Sequence, residues 1–92
     1  MKAIQHPGEK LWKELDKRGV SVASLATAMR VSDATIYNLL NGKGSVTVAI
    51  AAKLEALKIG KAATWLSMQN QFSLANIDKR KVKVNPKAIA WS

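Results

Sequence analysis

The chain has 92 residues, enough for one modest core but not two, with fifteen Lys and Arg against six Asp and Glu, a formal charge of +9. It contains no cysteine, which excludes disulfides and thiolate metal sites. No apolar stretch approaches the roughly 20 residues of a membrane span, and MKAIQHPGEK lacks the apolar middle of a signal peptide; a soluble cytoplasmic protein is expected.

His6-Pro7-Gly8-Glu9 reads as a helix entrance, because Pro suits a first turn and Glu9 complements the positive helix end. Leu11, Trp12 and Leu15 supply an apolar stripe, Lys10, Glu14 and Lys17 lie outside it, and Gly19 closes the helix. From Ser21 to Gly42 the chain reads SVASLATAMRVSDATIYNLLNG, two short helical patterns joined by a break, the spacing of a helix-turn-helix. Leu25, Ala26 and Met29 form the inner face of the first, with Ala26 small enough for close approach. Ile36, Leu39 and Leu40 form that of the second. Ser21 and Ser32 are placed to cap the two helices, Val31 sits in the bend, and Asn41-Gly42 gives the stop.

Thr47 is a candidate cap for a fourth helix carrying Ile50, Ala51, Leu54 and Leu57 inward and ending at Gly60. A fifth runs from about Lys61 to Leu74, with Ala62, Trp65, Leu66, Gln69 and Phe72 on or beside one face, so that Trp65 and Phe72 read as core. Five helices with short connections predict a compact all-α bundle over residues 1–76. Residues 77–92 form a basic C-terminal extension, with Lys79, Arg80, Lys81, Lys83 and Lys87 uninterrupted by acid. The alternation KVKV at 81–84 predicts a short strand, and Ala88, Ile89 and Trp91 an apolar cluster that something buries. Docking on the bundle or exchange between subunits is expected for this segment, with phosphate contact as a secondary role.

The outer face of the second motif helix presents Asp33, Ala34, Thr35, Tyr37 and Asn38, candidates to meet base edges in a major groove. Asn38 suits bidentate reading of adenine, and Asp33 can accept from a cytosine amine but repels phosphate. Ser32, Asn41 and Lys43 are better placed for the DNA backbone. Tyr37 reaches a thymine methyl or a phosphate if it faces outward, and braces the motif if it is buried. The excess positive charge favours a polyanion, although charge alone fits an RNA-binding protein equally well. His6 is the only histidine and has no carboxylate cluster beside it; no nucleophile arrangement is visible, and Gly42-x-Gly44 is too short for a phosphate loop. Neither catalysis nor a cofactor or metal is expected.

HPGE at 6–9, the helix-turn-helix at 21–42, NGK at 41–43, Val46-Thr47 and above all WLSMQNQFSL at 65–74 resemble the HigA (VapI-type) antitoxins, a branch of the Cro/C1-type (XRE) repressor-like proteins. The resemblance runs from His6 to about Leu74. It implies a homodimer that binds a palindromic operator in double-stranded DNA, represses its own operon, and neutralises a small RelE-like (HigB-like) ribonuclease toxin. Two departures stand out. Arg30 occupies the bend position where the family usually has Gly, at a cost of about 1–2 kcal/mol if the backbone is left-handed there. Val22 and Ala23 stand where a phosphate-binding Gln often begins the motif, leaving that contact to Ser21, Lys43 or backbone amides. Two other readings remain open: a stand-alone regulator without a toxin, and a toxin-binding module with weak DNA binding.

Overall fold

The structure, a computed structural model, describes residues 5–77 and 79–90. Five helices follow in order: α1 (Pro7–Arg18), α2 (Val22–Met29), α3 (Asp33–Leu40), α4 (Val48–Ala56) and α5 (Ala62–Ala75). Each of the first four starts on a side-chain cap. His6 Nδ1 accepts the Gly8 N–H, Ser21 that of Ser24, Ser32 that of Thr35 and Thr47 that of Ile50. The fifth has no cap of its own; instead Glu55 of α4 accepts the Ala62 N–H at 3.2 Å, which joins the two helices at their shared corner.

Helices α1 to α4 end alike. In each, the residue past the last turn donates to the carbonyl three back, and the next residue reaches five back, as Val20 does to Leu15, Val31 to Ala26, Lys43 to Asn38 and Ile59 to Leu54. This double closure is the Schellman motif, and it requires a left-handed residue. Gly19 and Gly42 serve in two cases, but Arg30 (φ 57°) and Lys58 (φ 61°) serve in the others. Arg30 therefore carries the conformational cost expected from its position.

The core draws on every helix: Leu11 and Leu15 from α1, Leu25, Ala26 and Met29 from α2, Ile36 and Leu39 from α3, Ala51 and Leu54 from α4, and Trp65 from α5. Val46 and Ile59 enter from loops. Helix α3 packs between α1 and α2, while α4 and α5 close the other side. Trp65 is buried as expected; its Nε1 donates to the Ile59 carbonyl at 2.6 Å and the Lys10 ammonium lies 5.8 Å from its ring centroid.

Three details depart from expectation. Trp12 is 58% exposed rather than part of the inner stripe, because Leu11 and Leu15 alone face the bundle. The fourth helix ends at Ala56 rather than running to Gly60, and the left-handed Lys58 turns Leu57 outward and brings Ile59 into the core. The strand at 81–84 does not form. Lys81 closes a 3-10 turn over Lys79–Lys81, residues 82–85 have no regular structure, and a second 3-10 turn spans Pro86–Ala88.

Among the described residues there is no strand for the KVKV segment to pair with, and a lone strand gains too little to persist in water. Val82, Val84 and Ile89 are all exposed, so the segment does not dock on its own bundle; Trp91 lies outside the described residues. The Cα radius of gyration is 16.6 Å, against about 12 Å for a compact domain of this length.

Candidate nucleic-acid interface

Helix α3 divides cleanly. Ile36 and Leu39 are fully buried, while Asp33, Ala34, Tyr37 and Asn38 are exposed. Positions 33, 34, 37 and 38 recur at the i, i+1, i+4 and i+5 spacing of one helical face, so four of the expected groove residues share one open surface. Thr35 lies at its margin, half-buried, with its hydroxyl 3.0 Å from that of Ser32. Ser32 also accepts the Thr35 N–H at 3.2 Å. Both hydroxyls are thus tied to the helix start, which fixes the entry of α3.

Tyr37 is 52% exposed, which resolves its two possible orientations in favour of the surface. Its ring lies on the α1 side of the face, lining a cleft of about 500 Å³ with Glu9, Trp12, Lys13, Leu40 and Asn41. Tyr37 and the exposed Trp12 thus share one mostly apolar groove at the edge of the open face of α3.

At the other end of α3 the Schellman turn folds Asn41 and Lys43 back beside Asn38. The Asn38 carbonyl accepts two amides, from Lys43 and Gly44, each at 2.9 Å. Asn41 and Lys43 are exposed there. At the start of α2, Ser21 Oγ accepts the Ser24 N–H at 3.1 Å and donates to the Ser24 hydroxyl at 2.9 Å. The exposed Ser21 and Ser24 flank Val22 and Ala23, the positions where the resemblance would place a Gln.

Two residues that frame this surface were not assigned to it by the sequence. His6, anticipated only as part of a helix entrance, is buried and also bonds to the Gly44 carbonyl at 2.8 Å. Gln69 of α5, placed on an apolar face, accepts the Val46 N–H at 2.9 Å. The available signal was slight: a polar residue inside an apolar stripe, and a histidine next to Pro-Gly. Among the described residues no group of three or more His, Cys, Asp or Glu could hold a metal ion, and no helix is long and apolar enough to cross a membrane.

A capped helix with one buried and one open polar face, held at a tight turn against a second short helix through the small Ala26, defines a helix-turn-helix DNA-binding protein. Residues 13–57 match the helix-turn-helix family model. The chain is 36% identical over 81 residues to the uncharacterized HTH-type transcriptional regulator YddM of Escherichia coli (strain K12), covering 86% of each protein. In structure it is similar to PA4674 of Pseudomonas aeruginosa in complex with its 18-bp operator DNA, with a TM-score of 0.74 and 31% identity over 79% of this chain and 78% of that one. It is also similar to the Pseudomonas aeruginosa antitoxin HigA with the higBA promoter, with a TM-score of 0.76 and 28% identity over 91% of this chain and 98% of that one. The chain belongs to the XRE-type helix-turn-helix family of DNA-binding regulators, in the company of HigA-type antitoxins.

Proposed function

We propose that this protein is the antitoxin of a HigBA-like pair: a cytoplasmic homodimer that binds a palindromic operator, represses its own operon and neutralises a RelE-like ribonuclease toxin. The observation that carries the DNA half is the open polar face of α3 on a fold similar to proteins solved on operator and promoter DNA. Residues 1–76 form the DNA-binding domain and residues 77–92 a basic extension to it. Asn38 reads adenine through its amide, Asp33 accepts from a cytosine amine, and Ala34, Thr35 and Tyr37 complete the contact with the base edges. Ser32, Asn41 and Lys43 hold the backbone at either end of the helix. The toxin half rests on the similarity to HigA.

The first test is binding to the DNA immediately upstream of the protein's own coding sequence. Asn38→Ala should lose about 1–3 kcal/mol there and relax preference at one base pair. If the variant keeps the wild-type ratio between that duplex and a scrambled one, Asn38 is not a base reader. The second test is co-expression with the adjacent reading frame: a small basic ribonuclease that co-purifies with this chain and loses activity establishes the pair. The similarity to YddM, a protein named only as a transcriptional regulator, supports the alternative of a regulator without a toxin, and an unrelated neighbouring frame selects it.

A further inference from the structure

The His6 ring joins two backbone segments that are 38 residues apart. Its Nδ1 accepts the Gly8 N–H at 2.9 Å and so caps α1. A nitrogen that accepts an N–H carries no proton, so in the neutral ring the proton sits on Nε2. That Nε2–H donates to the Gly44 carbonyl at 2.8 Å. Phe72 of α5 packs edge-on against the ring, with centroids 4.8 Å apart and planes at 85°, and this fixes the plane in which both bonds are made. The residue is only 8% exposed.

Gly44 is therefore held from both sides. Its N–H goes to the Asn38 carbonyl of α3 and its carbonyl to His6. Between Gly42 and Gly44 stands Lys43, exposed, on a stretch of backbone that its flanking glycines leave intrinsically free. A lysine on such a loop loses much of its binding free energy in ordering the loop unless something else has already ordered it.

We propose that His6 is a positioning residue for DNA binding: its imidazole pins the Gly42–Gly44 loop so that Lys43 meets a backbone phosphate at the far end of α3. This rests on the reading of Lys43 as a phosphate contact. His6 itself touches no DNA; it acts through the Gly44 carbonyl.

The test separates capping from pinning. Asn and Ser are both good helix caps. His6→Asn and His6→Ser therefore keep a partner for the Gly8 N–H but are too short to span to Gly44. Wild-type, both variants, Lys43→Ala and His6→Asn/Lys43→Ala are titrated against a labelled duplex of the DNA upstream of the coding sequence, at a series of salt concentrations. Helicity by circular dichroism should be unchanged in all of them. His6→Asn and His6→Ser should weaken binding on the order of tenfold, the worth of one charge-assisted hydrogen bond. Their slope of log affinity against log salt should drop by about 0.9, as in Lys43→Ala, because each variant leaves the same phosphate unneutralised. The double variant should bind no more weakly than Lys43→Ala alone, since both changes free that one phosphate.

A purely structural histidine would lower the melting temperature and leave the slope of the folded protein untouched. Wild-type slopes in both His6 variants beside a flattened slope in Lys43→Ala overturn the role of His6 while leaving Lys43 at the phosphate. Additive losses in the double variant overturn it as well. An unchanged slope in Lys43→Ala overturns the phosphate reading of the loop, and the positioning role with it.

Discussion

Gln69 Oε1 accepts the Val46 N–H at 2.9 Å, across 23 residues of chain, in the interior between α5 and the loop after α3. Gln69 is buried, and its amide nitrogen donates onward to the Ser73 hydroxyl at 3.2 Å. An apolar residue here would leave the Val46 N–H buried without a partner. Gln69→Leu should therefore cost about 1–3 kcal/mol despite adding hydrophobic surface. Urea denaturation should show a lower midpoint at unchanged slope. A variant as stable as wild type would mean that water reaches the Val46 amide.

Gly8 lies where α1 crosses the end of α3. A Cβ at this position would collide with the Leu39 carbonyl oxygen, a backbone atom that cannot swing away. At Gly19, by contrast, a Cβ meets nothing and only the left-handed φ of 65° opposes it. Gly8→Ala should cost about 3 kcal/mol or more, at the top of the range for overpacking. Gly19→Ala should cost about 1–2 kcal/mol. Equal losses in chemical denaturation would mean that α1 slides away from α3 at little cost.

Arg30 runs the other way. It is exposed, and its side chain contributes nothing to the core, yet its backbone is left-handed at φ 57°. Arg30→Gly removes the strain and returns part of the gain through a freer unfolded chain, for a net stabilisation of about 0.5–1 kcal/mol. A calorimetric midpoint raised by a few degrees checks it. A fall would show that the guanidinium holds something that stabilises the turn.

The C-terminal extension carries Lys and Arg at five positions and exposes Val82, Val84 and Ile89, none of which touches the core. Removing residues 79–92 should leave thermal unfolding of the helices unchanged. It should flatten the salt dependence of DNA binding by about 0.9 for each phosphate that the extension neutralises. Sedimentation of the truncated protein supplies the second reading. Monomers appearing before DNA is added would assign the exposed valines to a contact between subunits.

Much of this architecture can be read directly from the residues, and the part that cannot has a common cause. Caps at Ser21, Ser32 and Thr47, the core faces of α2 and α3 and the burial of Trp65 depend on chain neighbours within one or two turns, and all stand in the structure as the spacing indicates, while the left-handed turn at Arg30 is indicated by the family resemblance. The open polar face of α3 is legible for the same reason. Trp12 escapes such reasoning because a stripe at i, i+1 and i+4 spans too wide an arc to say which edge meets the bundle. Leu57 escapes it because a left-handed Lys58 has no marker in the residue itself. The roles of His6 and Gln69 depend on partners 38 and 23 residues away, and local periodicity carries no information about those. The alternation of the KVKV segment correctly describes a strand's composition, but a strand needs a neighbour, and composition does not supply one.

The bonds from His6 and Gln69 set how far the DNA-reading unit can be trimmed. The family match spans residues 13–57, yet the loop that closes α3 is gripped at Gly44 by a side chain ahead of that span and at Val46 by one well beyond it. A fragment cut to the two motif helices keeps their sequence and loses both grips. During synthesis His6 is already present when Gly44 emerges, whereas the Val46 amide has no side-chain partner until α5, which carries Gln69, has emerged and docked. A nascent or clipped chain lacking α5 would carry the open polar face of α3 but lack both the partner of the Val46 amide and the Phe72 ring that packs on His6.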